Sequence, residues 1–176
     1  MSNAPHRIVA TLLLSALCAC TGVPDGVTVV RNFDVDRYLG TWYEIARLDH
    51  SFERGLSEVT AEYTLRNDDG IRVVNRGYDT SSGEWNEAVG KAYFVGSTDA
   101  GMLKVSFFGP FYGGYNIIAL DHENYEYSMV AGPDREYLWI LSRSPEMDPA
   151  VLGNLVNRAK ELGFAIDDLI YVVHSQ

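Results

Sequence analysis

The side chains able to do covalent chemistry are few and stand apart. Ser106 could attack an ester, and His50, His122 and His174 are the bases such a hydrolysis would draw on. None is set beside the serine by local spacing, and no Gly-Xaa-Ser-Xaa-Gly elbow exposes a nucleophile at a strand-to-helix turn. Histidines and cysteines do not pair at metal-ligand spacing, and His174 stands alone near the terminus. These patterns predict no enzyme, no metal and no cofactor. Hydrolysis of a lipid ester is the rival reading, and turnover of lipid on incubation would favour it.

The clearest chemical signal lies at the amino end. Arg7 precedes an apolar run from Ile8 to Leu17, which closes on Leu17-Cys18-Ala19-Cys20. A run of this length is too short for a hydrocarbon core that needs roughly 20 helical residues, so it predicts a secretion signal rather than a permanent span. The small residues before Cys20 resemble the bacterial lipobox, in which that cysteine is acylated and becomes the first residue. Cys18 fails the role because the bulky Leu17 precedes it. An ordinary secretory cleavage nearby is the alternative. If Cys20 is lipidated and Cys18 leaves with the signal, no disulfide can form and stability must come from a core.

Residues 1–19 are thus expected to be a lipoprotein signal peptide, 20–28 the lipidated end and a flexible tether carrying Gly22, Pro24 and Gly26, and 29–176 one domain. At ~0.8 kcal/mol per buried methylene, two or more acyl chains would hold the domain firmly on a membrane. Thr21 stands where retention in the inner membrane commonly uses Asp. Resemblance to sorted lipoproteins therefore implies a lipid-anchored protein of the outer membrane, facing the periplasm. The chain carries 24 acidic against 14 basic residues with no basic cluster, which argues against nucleic acid and against electrostatic attraction to anionic lipid.

The elements that must position any site are mostly strands. Segments rich in β-branched and aromatic residues alternate with turn signals at Asn67-Asp68-Asp69-Gly70, Thr80-Ser81-Ser82-Gly83, Thr98-Asp99-Ala100-Gly101 and Gly132-Pro133-Asp134. They predict strands over 42–48, 59–65, 71–78, 84–95, 103–108, 115–120, 125–131 and 137–143. Eight antiparallel strands can close into an up-and-down β-barrel that removes sheet edges and holds one small ligand. Asp148 as N-cap, Pro149 at the first helical position and an apolar stripe of Leu152, Leu155, Val156, Ala159 and Leu162 predict one helix, which Gly163 stops. It should pack outside the barrel, followed by a short ninth strand over 169–173. The fold class is all-β.

The motif Gly40-Thr41-Trp42 opens the first strand, Ala119-Leu120-Asp121-His122-Glu123-Asn124-Tyr125 lies between two later ones, and Leu138-Trp139-Ile140-Leu141-Ser142-Arg143 forms the last. In order and spacing these resemble the three motifs of the lipocalin family, with Leu120 and His122 departing from the second. Phe52-Glu53-Arg54-Gly55-Leu56 and the run from Lys104 to Asn116 look like the bacterial outer-membrane lipocalins, relatives of apolipoprotein D. The resemblance implies structural roles for Gly40, Trp42, Asp121 and Arg143, with Trp42 plugging one end and Arg143 laid across its indole at ~0.5–2 kcal/mol.

Alternation sets Trp42, Glu44 and Ala46 inward, along with Val59, Ala61, Tyr63 and Leu65, Ile71 and Val73, Val105 and Phe107, Tyr115, Ile117 and Ala119, and Tyr137, Trp139 and Leu141. Of these, Tyr63, Val73, Val105, Phe107, Tyr115, Ile117, Tyr137 and Trp139 are the expected ligand contacts. They would form an apolar tunnel for a fatty acid or lysophospholipid, with tyrosine hydroxyls at a polar mouth. Glu44 must be paired, hydrogen-bonded or protonated there, and a satisfied structural carboxylate near the closed end is expected. The loop Gly109–Gly114 suits an entrance rim, a homodimer contact or a simple turn. A filled barrel with a purely structural envelope role is the other alternative.

Overall fold

The computed structural model describes residues 21–175; the signal segment and Cys20 lie outside them. After a single helical turn, α1 (Val35–Tyr38), the chain forms β1 (Gly40–Arg47), β2 (Leu56–Leu65), β3 (Ile71–Asp79), β4 (Glu84–Phe94), β5 (Met102–Ser106), β6 (Gly113–Leu120), β7 (Tyr127–Ala131) and β8 (Leu138–Ser142). Each strand pairs antiparallel with the next, and β8 and β2 both pair with β1, so the sheet closes into an eight-stranded barrel. Helix α2 (Pro149–Glu161) follows, then a 3-10 turn (Ile166–Asp168) and β9 (Ile170–Tyr171), which hydrogen-bonds to β1 from outside. The all-β barrel with one outer helix and a short ninth strand is the architecture that the pattern predicted.

The local chemistry of α2 is as expected. Asp148 Oδ1 accepts from the amides of Ala150 and Val151, and Gly163 turns the chain at φ +83°. Leu155 and Ala159 are buried against Ile45, Ile118, Met129, Leu138 and Ile140 on the barrel's outer face. Each large side chain buried there contributes roughly 1.5–3 kcal/mol. A second core fills the barrel's lower half: Phe33, Tyr38, Trp42, Tyr63, Ile71, Val73, Leu103, Ile117, Tyr125, Val130 and Leu141.

Up-and-down connectivity puts the β1–β2, β3–β4, β5–β6 and β7–β8 loops at one end, the mouth. The other end carries α1, Trp42 and Arg143. Three expected placements differ. Leu65 is 56% exposed at the end of β2. Ala46 and Ala119 join the helix-side core, because irregularities between Glu44 and Ala46 and between Ile117 and Ala119 break the period of two. The stretch expected as a flexible tether also lies on the barrel: Pro24 and Val27 are buried, and the Gly22 carbonyl accepts from Asn116 Nδ2 at 2.8 Å.

Candidate functional site

The floor is built around Trp42, which is fully buried and donates its indole N–H to the Tyr38 carbonyl at 2.8 Å. Arg143 Cζ sits 3.9 Å from the Trp42 ring centre, and its guanidinium donates to the carbonyls of Tyr125, Thr41 and Arg37. Gly40 lies beneath it at φ +92°, a conformation that L side chains rarely adopt. Asp121 accepts from the amides of Glu123, Asn124 and Glu126, holding the turn that delivers Tyr125 to the floor. All four motif residues thus organise the closed end.

Above the floor, three phenols meet. Tyr115 Oη lies 2.8 Å from Tyr63 Oη and 2.9 Å from Tyr38 Oη, which in turn is 3.3 Å from Ser128 Oγ. Burial pushes Tyr38 up to about 12 and Tyr63 and Tyr115 well above their ordinary value, so all three are neutral hydroxyls at physiological pH. They surround a small cavity of about 10 Å³ lined also by Phe33, Ile71, Val73, Leu103 and Val105. That is roughly the room one water needs.

Toward the mouth the wall opens: Val105, Phe107, Tyr115 and Trp139 pack on the core yet stay half-buried, as does Ala61, which pairs with Trp42 beside the floor. Gly90 lets the Phe107 ring cross the wall, since a Cβ there would stand 2.8 Å from Phe107 Cδ1. Ile117 is fully buried deep in the core and Val73 nearly so. Tyr137 lies apart from the other two predicted tyrosines. It stacks between Phe52 and Trp139 at the rim, with centroids 6.3 and 6.2 Å away, so the expected group of three hydroxyls is split between floor and mouth.

The polar group at the mouth has other members. The irregularity in β1 turns Arg47 inward, where alternation would have set it outside. Arg47 Nη1 donates to Glu44 Oε1 at 2.6 Å and Nη2 to the carbonyls of Glu53 and Leu56, with the whole side chain buried. Glu53, from the β1–β2 loop, accepts from Trp139 Nε1 at 3.0 Å and lies 3.0 Å from His50 Nε2. Burial, then the neighbouring Glu53 charge, push Glu44 well above the carboxylate range, with Arg47 opposing. Burial would raise Glu53 too, but His50, Trp139 and Arg47 outweigh it and hold it low. The two carboxyls titrate as a pair, with burial favouring the protonated form of Glu44 and the neighbours of Glu53 favouring its charged form. Glu44 is satisfied, as expected, but by Arg47 and toward the mouth rather than at the closed end.

Arg47, Glu53, His50 and Tyr38 are the site residues that the sequence reading missed. Two apolar residues between Glu44 and Arg47 disguise the bulge, and His50 reads as an ordinary loop residue. Ser106 is buried with no partner on its hydroxyl, and His122 is exposed at the opposite end of the barrel. Among the described residues no group of three or more His, Cys, Asp or Glu could hold a metal ion, and no helix is long and apolar enough to cross a membrane.

Residues 33–174 match the family model described as a lipocalin-like domain. The chain is 56% identical over 167 residues to the outer membrane lipoprotein Blc of Vibrio cholerae, covering 94% of this chain and 98% of the relative. It is 34% identical to apolipoprotein D of Bos taurus, covering 78% and 80% of the two chains. Among solved structures it resembles insecticyanin of the tobacco hornworm with a TM-score of 0.71 and 22% identity, over 89% of this chain and 88% of that one, a likeness of fold.

Proposed function

Because this chain belongs to the lipocalin family, with relatives of the outer-membrane lipoprotein branch across most of its length, we propose that it is a lipid-anchored outer-membrane protein that binds a fatty acid or lysophospholipid in its barrel and leaves it chemically unchanged. The observation that carries this reading is the graded interior. A sealed aromatic floor supports a wall of half-buried apolar side chains, Val105, Phe107 and Trp139, that opens at the mouth. Acylation of Cys20 supplies the anchor.

Affinity comes mainly from burying an acyl chain, at ~25 cal/mol per Å² of apolar surface removed from water. The tyrosine hydroxyls and the Glu44–Arg47–Glu53 group sort headgroup and depth. Ser106, whose hydroxyl meets no base, supports binding without hydrolysis. One observation favours the filled-barrel reading: the cavity among the tyrosines is only about 10 Å³. In the carrier the tail must therefore lie above Tyr115 or move Tyr63 and Tyr115 aside.

Titration of delipidated protein with a fluorescent fatty acid, followed by a lysophospholipid competitor, separates the two. Saturable binding near one ligand per protein or per protein dimer, displaced by the competitor and accompanied by a change in Trp139 emission, is the expected result. Absence of binding would leave the filled barrel, and release of free fatty acid from the lysophospholipid would leave the esterase.

A further inference from the structure

The path of the amino-terminal segment decides which end of the barrel faces the anchor. Gly22 is held at the mouth: its carbonyl accepts from Asn116 Nδ2, and a Cβ on Gly114, at the mouth end of β6, would lie 2.9 Å from it. Asp25 is tied to the same end, its carbonyl accepting from Arg135 of the β7–β8 loop at 2.6 Å. The chain then descends the outside of the barrel. Val30 pairs with Ile117 and Gly101, Arg31 bridges to Ala100, and the Phe33 amide reaches Asp99 in the β4–β5 loop at the closed end.

Only Thr21 separates Gly22 from Cys20. At ~3.3–3.6 Å per extended residue, two steps of chain reach about 7 Å. The 10 residues of β2 span the barrel wall over roughly 33 Å at ~3.3 Å per residue. An acyl chain on Cys20 therefore enters the membrane beside the mouth and cannot do so from the closed end.

Apolar side chains are exposed at the mouth as well. Phe108 is 81% and Phe111 63% exposed on the β5–β6 loop, and Phe52 is 60% exposed on the β1–β2 loop. From Phe107 to Gly114 there is no charged side chain. An uncharged aromatic loop next to an acylated residue has the chemistry of a surface that enters the headgroup and acyl boundary of a bilayer.

We propose that the protein docks mouth-down on the lipid bilayer, with Phe108 and Phe111 inserted into it, so that ligand passes between membrane and barrel without crossing water. The docking rests on the acylation of Cys20 proposed above. It needs no basic patch, since the anchor and the aromatic loop supply the attraction.

The test uses the mature acylated chain in vesicles of phosphatidylethanolamine and phosphatidylglycerol. Single variants Phe108→Cys, Phe111→Cys and His122→Cys each receive an environment-sensitive fluorophore, the last reporting on the closed end. Expected are co-flotation of all three with the vesicles and quenching by spin-labelled lipid several-fold stronger at 108 and 111 than at 122. Flotation with equal quenching at both ends, or stronger quenching at 122, overturns the docking alone. A blue shift at 108 and 111 without lipid quenching overturns it too, by showing that a second protein covers the loop. Failure to float overturns the anchor and the docking together.

Discussion

Replacing Glu44 by Gln is the sharpest perturbation of the buried charge group, because it removes one titration and preserves shape. In the folded chain the Glu44 carboxyl is held well above its usual range by burial and by Glu53, although Arg47 Nη1 sits 2.6 Å away. A carboxyl whose folded pKa is raised binds its proton more tightly in the folded state. Its favourable contribution is complete below the unfolded pKa of about 4.3 and is lost as pH climbs toward the raised folded value. Gln is neutral throughout, can still accept from Arg47, and can donate to Glu53 as the protonated acid does. The variant and the parent should therefore have equal stability near pH 4. Above pH 5 the parent should fall progressively behind, with a limiting slope of about 1.4 kcal/mol per pH unit until Glu44 ionises. For a domain of this size 1 kcal/mol is about 2–4 °C in Tm. Thermal unfolding of both proteins from pH 4 to 9 measures the gap, and titrations common to the two cancel in the difference. A gap that does not change with pH, or a parent that gains on the variant as pH rises, would refute the upward shift of the Glu44 carboxyl.

Trp42→Ala should cost about 3–5 kcal/mol, as large core truncations do, and lower the Tm accordingly. Ligand binding lost at an unchanged Tm would contradict its place in the floor. Tyr115→Phe removes the hydroxyl to which both Tyr63 and Tyr38 bond; Tyr38 keeps Ser128, and stranding the buried Tyr63 phenol should cost about 1–3 kcal/mol in chemical denaturation; a neutral effect would mean that Tyr63 finds another partner at once. Val105→Trp narrows the barrel beside Phe107. If it excludes four methylenes at ~0.8 kcal/mol each, long-chain fatty acids should bind about 200-fold more weakly while short chains change little. Equal losses at all chain lengths would place the tail elsewhere.

The amount of this site that was legible in the sequence depends on how local its causes are. Trp42, Gly40, Asp121 and Arg143 were readable because each occupies a spaced motif whose role is a turn, a plug or a lid. Val73, Val105, Phe107, Tyr115 and Trp139 were readable as wall because alternation holds along the stretches of strand that carry them, in β6 as far as Ile117. Arg47 was hidden, since a one-residue irregularity between Glu44 and Ala46 reverses the face of everything beyond it. Tyr137 was assigned by the same alternation but precedes β8, where the period no longer applies, and it joins the rim stack instead.

By itself, the sequence determined the class of this protein: period-two apolar runs divided by glycine and aspartate turns bury their faces in antiparallel sheet, and Asp148, Pro149 and Gly163 delimit α2 by capping chemistry alone. Tertiary structure decided the rest. The coupling of the two buried carboxyls depends on a loop folding Glu53 over Glu44, and the orientation proposed for the membrane depends on Gly22 docking beside Gly114. Both are contacts between residues far apart along the chain, and no local period or propensity encodes them.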